Sequence, residues 1–221
     1  GKALHTIAVA LSFQNNIDEA VARSRELVST WRSLGCTRLE AFQQECLSEW
    51  ELARHRPEEA LEAAKAALDH KTRDEKSRGS GKSAAAMMHA SNAYLTLGKS
   101  EEALKLSQDR LESSRESGDV ESEIVAQSAL VAVYVKDGKL ADAAKLCRDA
   151  LEKVRQQKSS RLFKCWETDL LQTLSRVYLR AEDVENAGSI IQEALKLAES
   201  DKDRKAASAA WLLHSELCLL K

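Results

Sequence analysis

Residues 79–83, Gly79-Ser80-Gly81-Lys82-Ser83, end the way a phosphate-binding loop ends. In such a loop glycines let backbone amides approach phosphate oxygens, while Lys and Ser address the nucleotide and its magnesium. The motif also needs a glycine at position 76, which is Lys76, and a buried strand ahead of it, where residues 70–78 are polar and charged. His70 to Ser83 therefore reads as the longest and most mobile loop between structural units, with Ser77, Ser80 and Ser83 beside basic residues as candidate modification sites. The paired carboxylates Glu58/Glu59 and Glu101/Glu102 could suggest acid–base chemistry. Neighbours on a helix point roughly 100° apart, so the pairs do not converge; they suit the positive end of a helix dipole instead.

His5, His55, His70, His89 and His214 are scattered, and none has Ser, Cys and Asp at a spacing that one helix face would gather. Cys36, Cys46, Cys147, Cys165 and Cys218 are odd in number, with no CxxC pair and no His at metal-ligand spacing. They read as small apolar residues of helices in a reducing compartment, which points to an intracellular and cytoplasmic protein. No catalytic residue, cofactor or metal ligand is assigned, and the chain reads as a non-enzyme. Lys153, Arg155, Lys158, Arg161 and Lys164 form a basic run. The reading preferred here is a solvated helix end at the negative pole of its dipole; the alternative is a contact with an acidic partner or RNA.

The elements that must position these residues are helices. One proline and 8 glycines in 221 residues leave little turn chemistry for an all-β protein. Hydrophobic residues make up 43% and charged residues 31%, enough for a sizeable core under a solvated surface. Thirty-three basic residues nearly balance 35 acidic ones, which argues against nucleic acid and anionic membrane as partners. Ala3 to Phe13 is apolar like the core of a secretory signal, but contains His5 and Thr6 and fits the repeat below as core.

One pattern recurs: IDEAVARSRELV, PEEALEAAKAAL, SEEALKLSQDRL, LADAAKLCRDAL and VENAGSIIQEAL. The shared alanines Ala20, Ala60, Ala103, Ala143 and Ala187 stand 40, 43, 40 and 44 residues apart. A second amphipathic stretch precedes each, so the unit is two antiparallel helices, and a small residue recurs where their backbones cross. Gly98 and Gly138 are placed to end first helices in the left-handed conformation, and Pro57 suits the first turn of a second helix. Ser100 is an expected cap, and Thr37 with Glu40 an expected capping box.

With each alanine at repeat position 20, Tyr94, Tyr134 and Tyr178 fall at position 11 and Ala67, Ala150 and Ala194 at position 27. The chain in this respect resembles the tetratricopeptide repeat (TPR) family, in a variant of about 40 residues per repeat. The resemblance implies an all-α, right-handed superhelical solenoid of five helix pairs plus one terminal helix, a single domain. Its repeats span about 1–40, 41–83, 84–123, 124–167 and 168–207, with the terminal helix at 208–221. Trp211, Ser215 and Cys218 take positions 4, 8 and 11 of that sixth first-helix, so Arg204 to Lys221 reads either as a terminal capping helix or as part of a longer array with further repeats beyond either terminus. Its apolar Leu213, Leu217, Leu219 and Leu220 favour the longer array or a helix covered by something else.

The resemblance also places first-helix positions 2, 5, 9, 12 and 13 on a concave groove. These include Phe42, Glu45, Glu49 and Leu52; Met88, Asn92 and Leu95; Val125, Ser128 and Val135; and Asp169, Gln172, Arg176 and Arg180. An apolar lining with acids on one side and arginines on the other suits a peptide or helix held by apolar anchors and oriented by charge. Some family members grip a peptide carboxylate with Lys and Asn side chains; Asn92 matches one such position, while Met88 and Ala129 occupy others. The expected function is a non-catalytic scaffold or adaptor that binds another protein within a larger assembly. The alternatives are a regulatory or targeting domain of a longer enzyme and an RNA-binding helical repeat.

Overall fold

The structure is a computed structural model that describes residues 2–73, 84–157, 161–200 and 203–220. The Gly79–Ser83 motif and the serines Ser77, Ser80 and Ser83 lie outside the described residues, as does Lys158. Five helix pairs and a final helix account for most of the rest: α1 (Lys2–Phe13) with α2 (Ile17–Ser33), α3 (Thr37–Ala53) with α4 (Pro57–Arg73), and α5 (Ala84–Thr96) with α6 (Ser100–Ser117). They continue as α7 (Val120–Lys136) with α8 (Leu140–Gln156), α9 (Arg161–Arg180) with α10 (Val184–Ser200), and α11 (Arg204–Leu220). No strand occurs among the described residues. Residues 70–73, expected in a loop, are the last turn of α4.

The chain divides into two compact units, residues 1–129 and 130–221. In the first, Ala20, Ala60 and Ala103 are fully buried, as a close backbone crossing requires. Ala8 of α1 shares a core with Ala20, and Ser91 Oγ of α5 lies 3.3 Å from Ser107 Oγ of α6. Position 8 of the first helix thus meets its own second helix at Ala8 and Ser91. The second unit repeats the arrangement: Ala143 and Ala187 are fully buried, and the Cys147 thiol donates to Leu170 O at 3.4 Å. α1 is less of a core helix than its composition suggests, since Ile7 and Phe13 are exposed.

One backbone device closes every pair. Position 15 is left-handed at Asn15, His55, Gly98, Gly138 and Glu182, with φ of 60°, 57°, 74°, 75° and 56°. The next N–H then reaches back five residues: Asn16 N–H to Leu11 O, Arg56 to Glu51, Lys99 to Tyr94, Lys139 to Tyr134 and Asp183 to Tyr178, at 2.8–2.9 Å. This bond satisfies a carbonyl that the helix end would leave unpaired. The expected side-chain caps do not form. α6 begins at Ser100 itself, with Lys99 at the N-cap and no side-chain cap bond. α3 begins at Thr37 behind Cys36, again without one, and the Glu40 carboxylate is turned to Arg32.

Candidate protein-binding surface

On α3, Gln43, Gln44, Leu47, Ser48, Trp50 and Glu51 are buried against neighbouring helices. Helical periodicity leaves the remaining face outward, and it carries Phe42, 46% exposed, with Glu49 exposed and Glu45 and Leu52 half-buried. On α5 the same positions, Met88, Asn92 and Leu95, are half-buried, as are Val125 and Ser128 at the start of α7. Two contacts bring α1, α3 and α5 together on this face of the first unit. The His5 ring lies 5.2 Å from that of Phe42, and His89 Nδ1 lies 2.7 Å from Ser48 Oγ.

That Ser–His pair, with Glu45 and Glu49 nearby, was not legible in the sequence because its members stand 41 residues apart. It is built for packing. Ser48 is fully buried and its hydroxyl donates to Glu45 O at 2.7 Å, so with its one proton committed its oxygen accepts from the ring N–H. Burial holds the His89 pKa below its ordinary value, against the pull of Glu49 and Glu45.

In the second unit Val135 is half-buried on α7, and Asp169, Arg176 and Arg180 are exposed on α9. Gln172 Nε2 donates to Ala206 O at 3.4 Å, joining α9 to α11. Asp169 is exposed as a residue, yet partial burial of its carboxyl raises its pKa, opposed by Lys205 and Arg176 and aided by Asp203.

Ion pairs join successive repeats. Arg32 Nε bonds Glu40 at 2.8 Å, Arg115 Nε bonds Glu123 at 2.9 Å and Arg155 Nε bonds Glu167 at 2.8 Å. Each arginine stands at position 32 of its repeat and each glutamate immediately before the next. Arg155 also pairs with Glu193, and its pKa is raised by these carboxylates despite burial. The basic run is therefore engaged at Arg155. Glu51, in the place where tyrosine is expected, is fully buried and satisfied by Arg25 at 2.6 Å and Arg54 at 3.1 Å.

Cys147 is buried, but Cys165 and Cys218 are exposed, so the small-apolar reading does not hold for all five cysteines. Among the described residues no group of three or more His, Cys, Asp or Glu side chains could hold a metal ion. Nor is any described helix long and apolar enough to cross a membrane.

A family model described as the MalT-like TPR region matches residues 46–219. No curated protein matches the sequence. Among solved structures, the kinesin light chain TPR-like repeats of Podosopora anserina align with a TM-score of 0.62 at 16% identity, covering 92% of this chain and 96% of that one. A Rap protein complexed with Competence and Sporulation Factor aligns with a TM-score of 0.71 at 13% identity, over 96% of this chain and 63% of that one. A STAND signal-transduction ATPase with a tetratricopeptide repeat sensor, from Pyrococcus horikoshii, aligns with a TM-score of 0.69 at 17% identity, over 99% of this chain and 32% of that one. At these identities the likeness shows a shared fold.

Proposed function

The chain belongs to the MalT-like TPR region family, and from that footing we propose that it is a non-catalytic scaffold or adaptor whose first-helix faces hold a peptide or helix of another protein within a larger assembly. The observation that carries this reading is Phe42: an aromatic ring 46% exposed on the face that second helices leave open, flanked on α3 by Glu45 and Glu49 and accompanied on α5 by Met88. Aromatic anchors dominate binding energy where they can be desolvated, and neighbouring charges orient the partner. In the first unit this combination favours a segment with an apolar side chain beside a basic one. In the second unit Arg176 and Arg180 favour acidic residues. The kinship of fold with a Rap protein solved in complex with a factor, and with a repeat region described as a sensor, supports a ligand-binding role.

Affinity capture with the 221-residue chain, followed by identification of the bound protein, tests the reading. Recovery of a partner should fall at least tenfold with Phe42→Ala combined with Glu45→Lys and Glu49→Lys, substitutions at positions outside the core. A captured protein that is retained equally by that variant and by Arg176→Glu/Arg180→Glu would sink the proposal.

A further inference from the structure

Most arginines of this protein whose side chains are described are committed to partners within it. Arg32, Arg54, Arg115 and Arg155 bond carboxylates, while Arg110 donates to the Ser122 hydroxyl at 2.8 Å and Arg148 to the Tyr178 hydroxyl at 3.0 Å. Arg176 and Arg180 of α9 are exposed, and among the described residues neither makes an ion pair or a hydrogen bond. They stand i, i+4 on one face, a spacing at which like charges repel. Arg38 and Arg204 also lack a bonded partner, but neither has a second arginine one turn away. A cation in the last turn suits the negative pole of a helix, which accounts for Arg180 and not for Arg176.

The stripe that carries them is open although its helix is enclosed. α9 packs against α8, which precedes it, and against α10 and α11, which follow; between the two arginines Val177, Tyr178 and Leu179 are all buried. The outward stripe runs through Asp169, Gln172, Arg176 and Arg180 at i, i+3, i+7 and i+11. Gln172 donates to Ala206 O of α11, and Thr173 beside it donates to Asp169 O at 2.8 Å. The two guanidiniums are thus the strongest donors that the stripe leaves open to an outside group.

We propose that Arg176 and Arg180 form a clamp for a phosphorylated serine or threonine of the partner protein. Each guanidinium is a planar fork of donors that stays charged. A phosphoryl group carries about −1.5 to −2 charge and three acceptor oxygens, so both forks can close on it; a lone carboxylate accepts one fork and leaves the other arginine unpaired. A nucleic acid fits less well, because it needs cations along the run of its backbone, whereas this stripe passes from Arg176 to Asp169, about 10 Å along the axis. The proposal rests on the reading of α9 as part of the partner-binding face and adds what the partner carries there.

Degenerate peptides with a fixed central phosphoserine, passed over the immobilised 221-residue chain beside the same library carrying serine or glutamate there, test the clamp. Retention of the phosphoserine library should exceed both others by at least about tenfold. Arg176→Ala/Arg180→Ala should abolish that excess without lowering the melting temperature, since both side chains are exposed and unbonded. Arg176→Lys/Arg180→Lys keeps the charge, loses the forks and should recover only part of it. Asp169→Asn, which removes the carboxylate of the stripe, should increase it. Absence of retained phosphoserine peptides overturns the proposal, and so does retention that survives the double alanine variant. Equal retention of the glutamate library also overturns it while leaving the acidic-partner reading standing; failure of that reading shows separately, in the capture experiment above. A single-stranded RNA held as tightly as the phosphopeptides would overturn it by making a nucleic acid the ligand.

Discussion

The guanidinium of Arg32, at the end of one helix pair, lies 2.8 Å from the carboxylate of Glu40, which opens the next. The carboxylate is 4% exposed and the arginine 64%. Glu40 thus depends on a partner that water can reach. Removing the arginine leaves a desolvated charge with a lost donor, which costs more than the pair itself contributes. Arg32→Ala should destabilise the chain by about 1–2 kcal/mol in urea titration, discounted for the exposure of the guanidinium. Arg23→Ala, which breaks the exposed pairs with Glu19 and Glu26, should change stability by less than about 0.5 kcal/mol. Equal effects would show that the junction pair has no special role.

The left-handed turn residues offer a gain. His55 and Glu182 hold φ near 57° and 56°, a conformation that strains any residue with a Cβ. Replacing either with glycine should raise stability by roughly 0.5–1 kcal/mol, the relief exceeding the extra chain entropy of glycine. Gly138→Ala, with open space around its Cβ but φ of 75°, should lower it by a similar amount through strain alone. Thermal denaturation of the three variants decides the matter.

Ala143 is fully buried at the α7–α8 level of the second unit. Ala143→Arg must bury a long cation or force the helices apart, with overpacking alone costing about 1–3 kcal/mol. Lys139→Ala, in the preceding turn, removes only an exposed ammonium 3.9 Å from Asp137 and 5.8 Å from the Tyr134 ring, and should be nearly neutral. Amide hydrogen exchange across residues 130–180 should show lost protection in the first variant and none in the second.

His89 links stability to acid. Its folded pKa lies below the unfolded value of about 6.5, so as pH falls through that value the unfolded chain binds the proton first. Stability therefore falls below about pH 6.5 and levels off once pH has passed below the folded pKa. Glu45 and Glu49, which favour the charged ring, limit the loss. His89→Gln should flatten the difference in stability between pH 7.5 and pH 5; an unchanged pH profile would assign the acid response to other groups.

Burial pushes the Cys147 thiol up to about 12, while Cys165 and Cys218 are exposed. A thiol-selective reagent at pH 8 should modify Cys165 and Cys218 in the native protein and reach Cys147 only on unfolding. Peptide mapping after a short pulse would show it, and native labelling of Cys147 would contradict the packing of α8 on α9.

The helix pairs were legible because a crossing leaves a mark that survives drift elsewhere: the alanine at 20, 60, 103, 143 and 187 is the one side chain the geometry dictates. What the sequence concealed was chemistry between repeats. Arg32 and Glu40 are separated by eight residues, a spacing with no meaning on a single helix, and only the fold shows that Arg115 and Glu123 share it. The Ser48–His89 bond is hidden in the same way. Glu51 stands at the position that carries tyrosine in three other repeats, and only the fold brings Arg25 and Arg54 to its carboxylate. The caps were misread because Ser100 and Thr37 have the chemistry of a cap one residue away from where the backbone needs it.

The main-chain closure at position 15 has a bearing on how such a chain can lengthen. Histidine, glutamate, asparagine and glycine all serve there, and the bond that follows uses only a backbone N–H and a backbone carbonyl. A copied unit of about 40 residues therefore brings its own corner with it, whatever substitutions the copy later accumulates. Duplication or deletion of whole units requires no matching change at the bend, so unit number is free to vary while the hairpin angle is held by the peptide backbone itself.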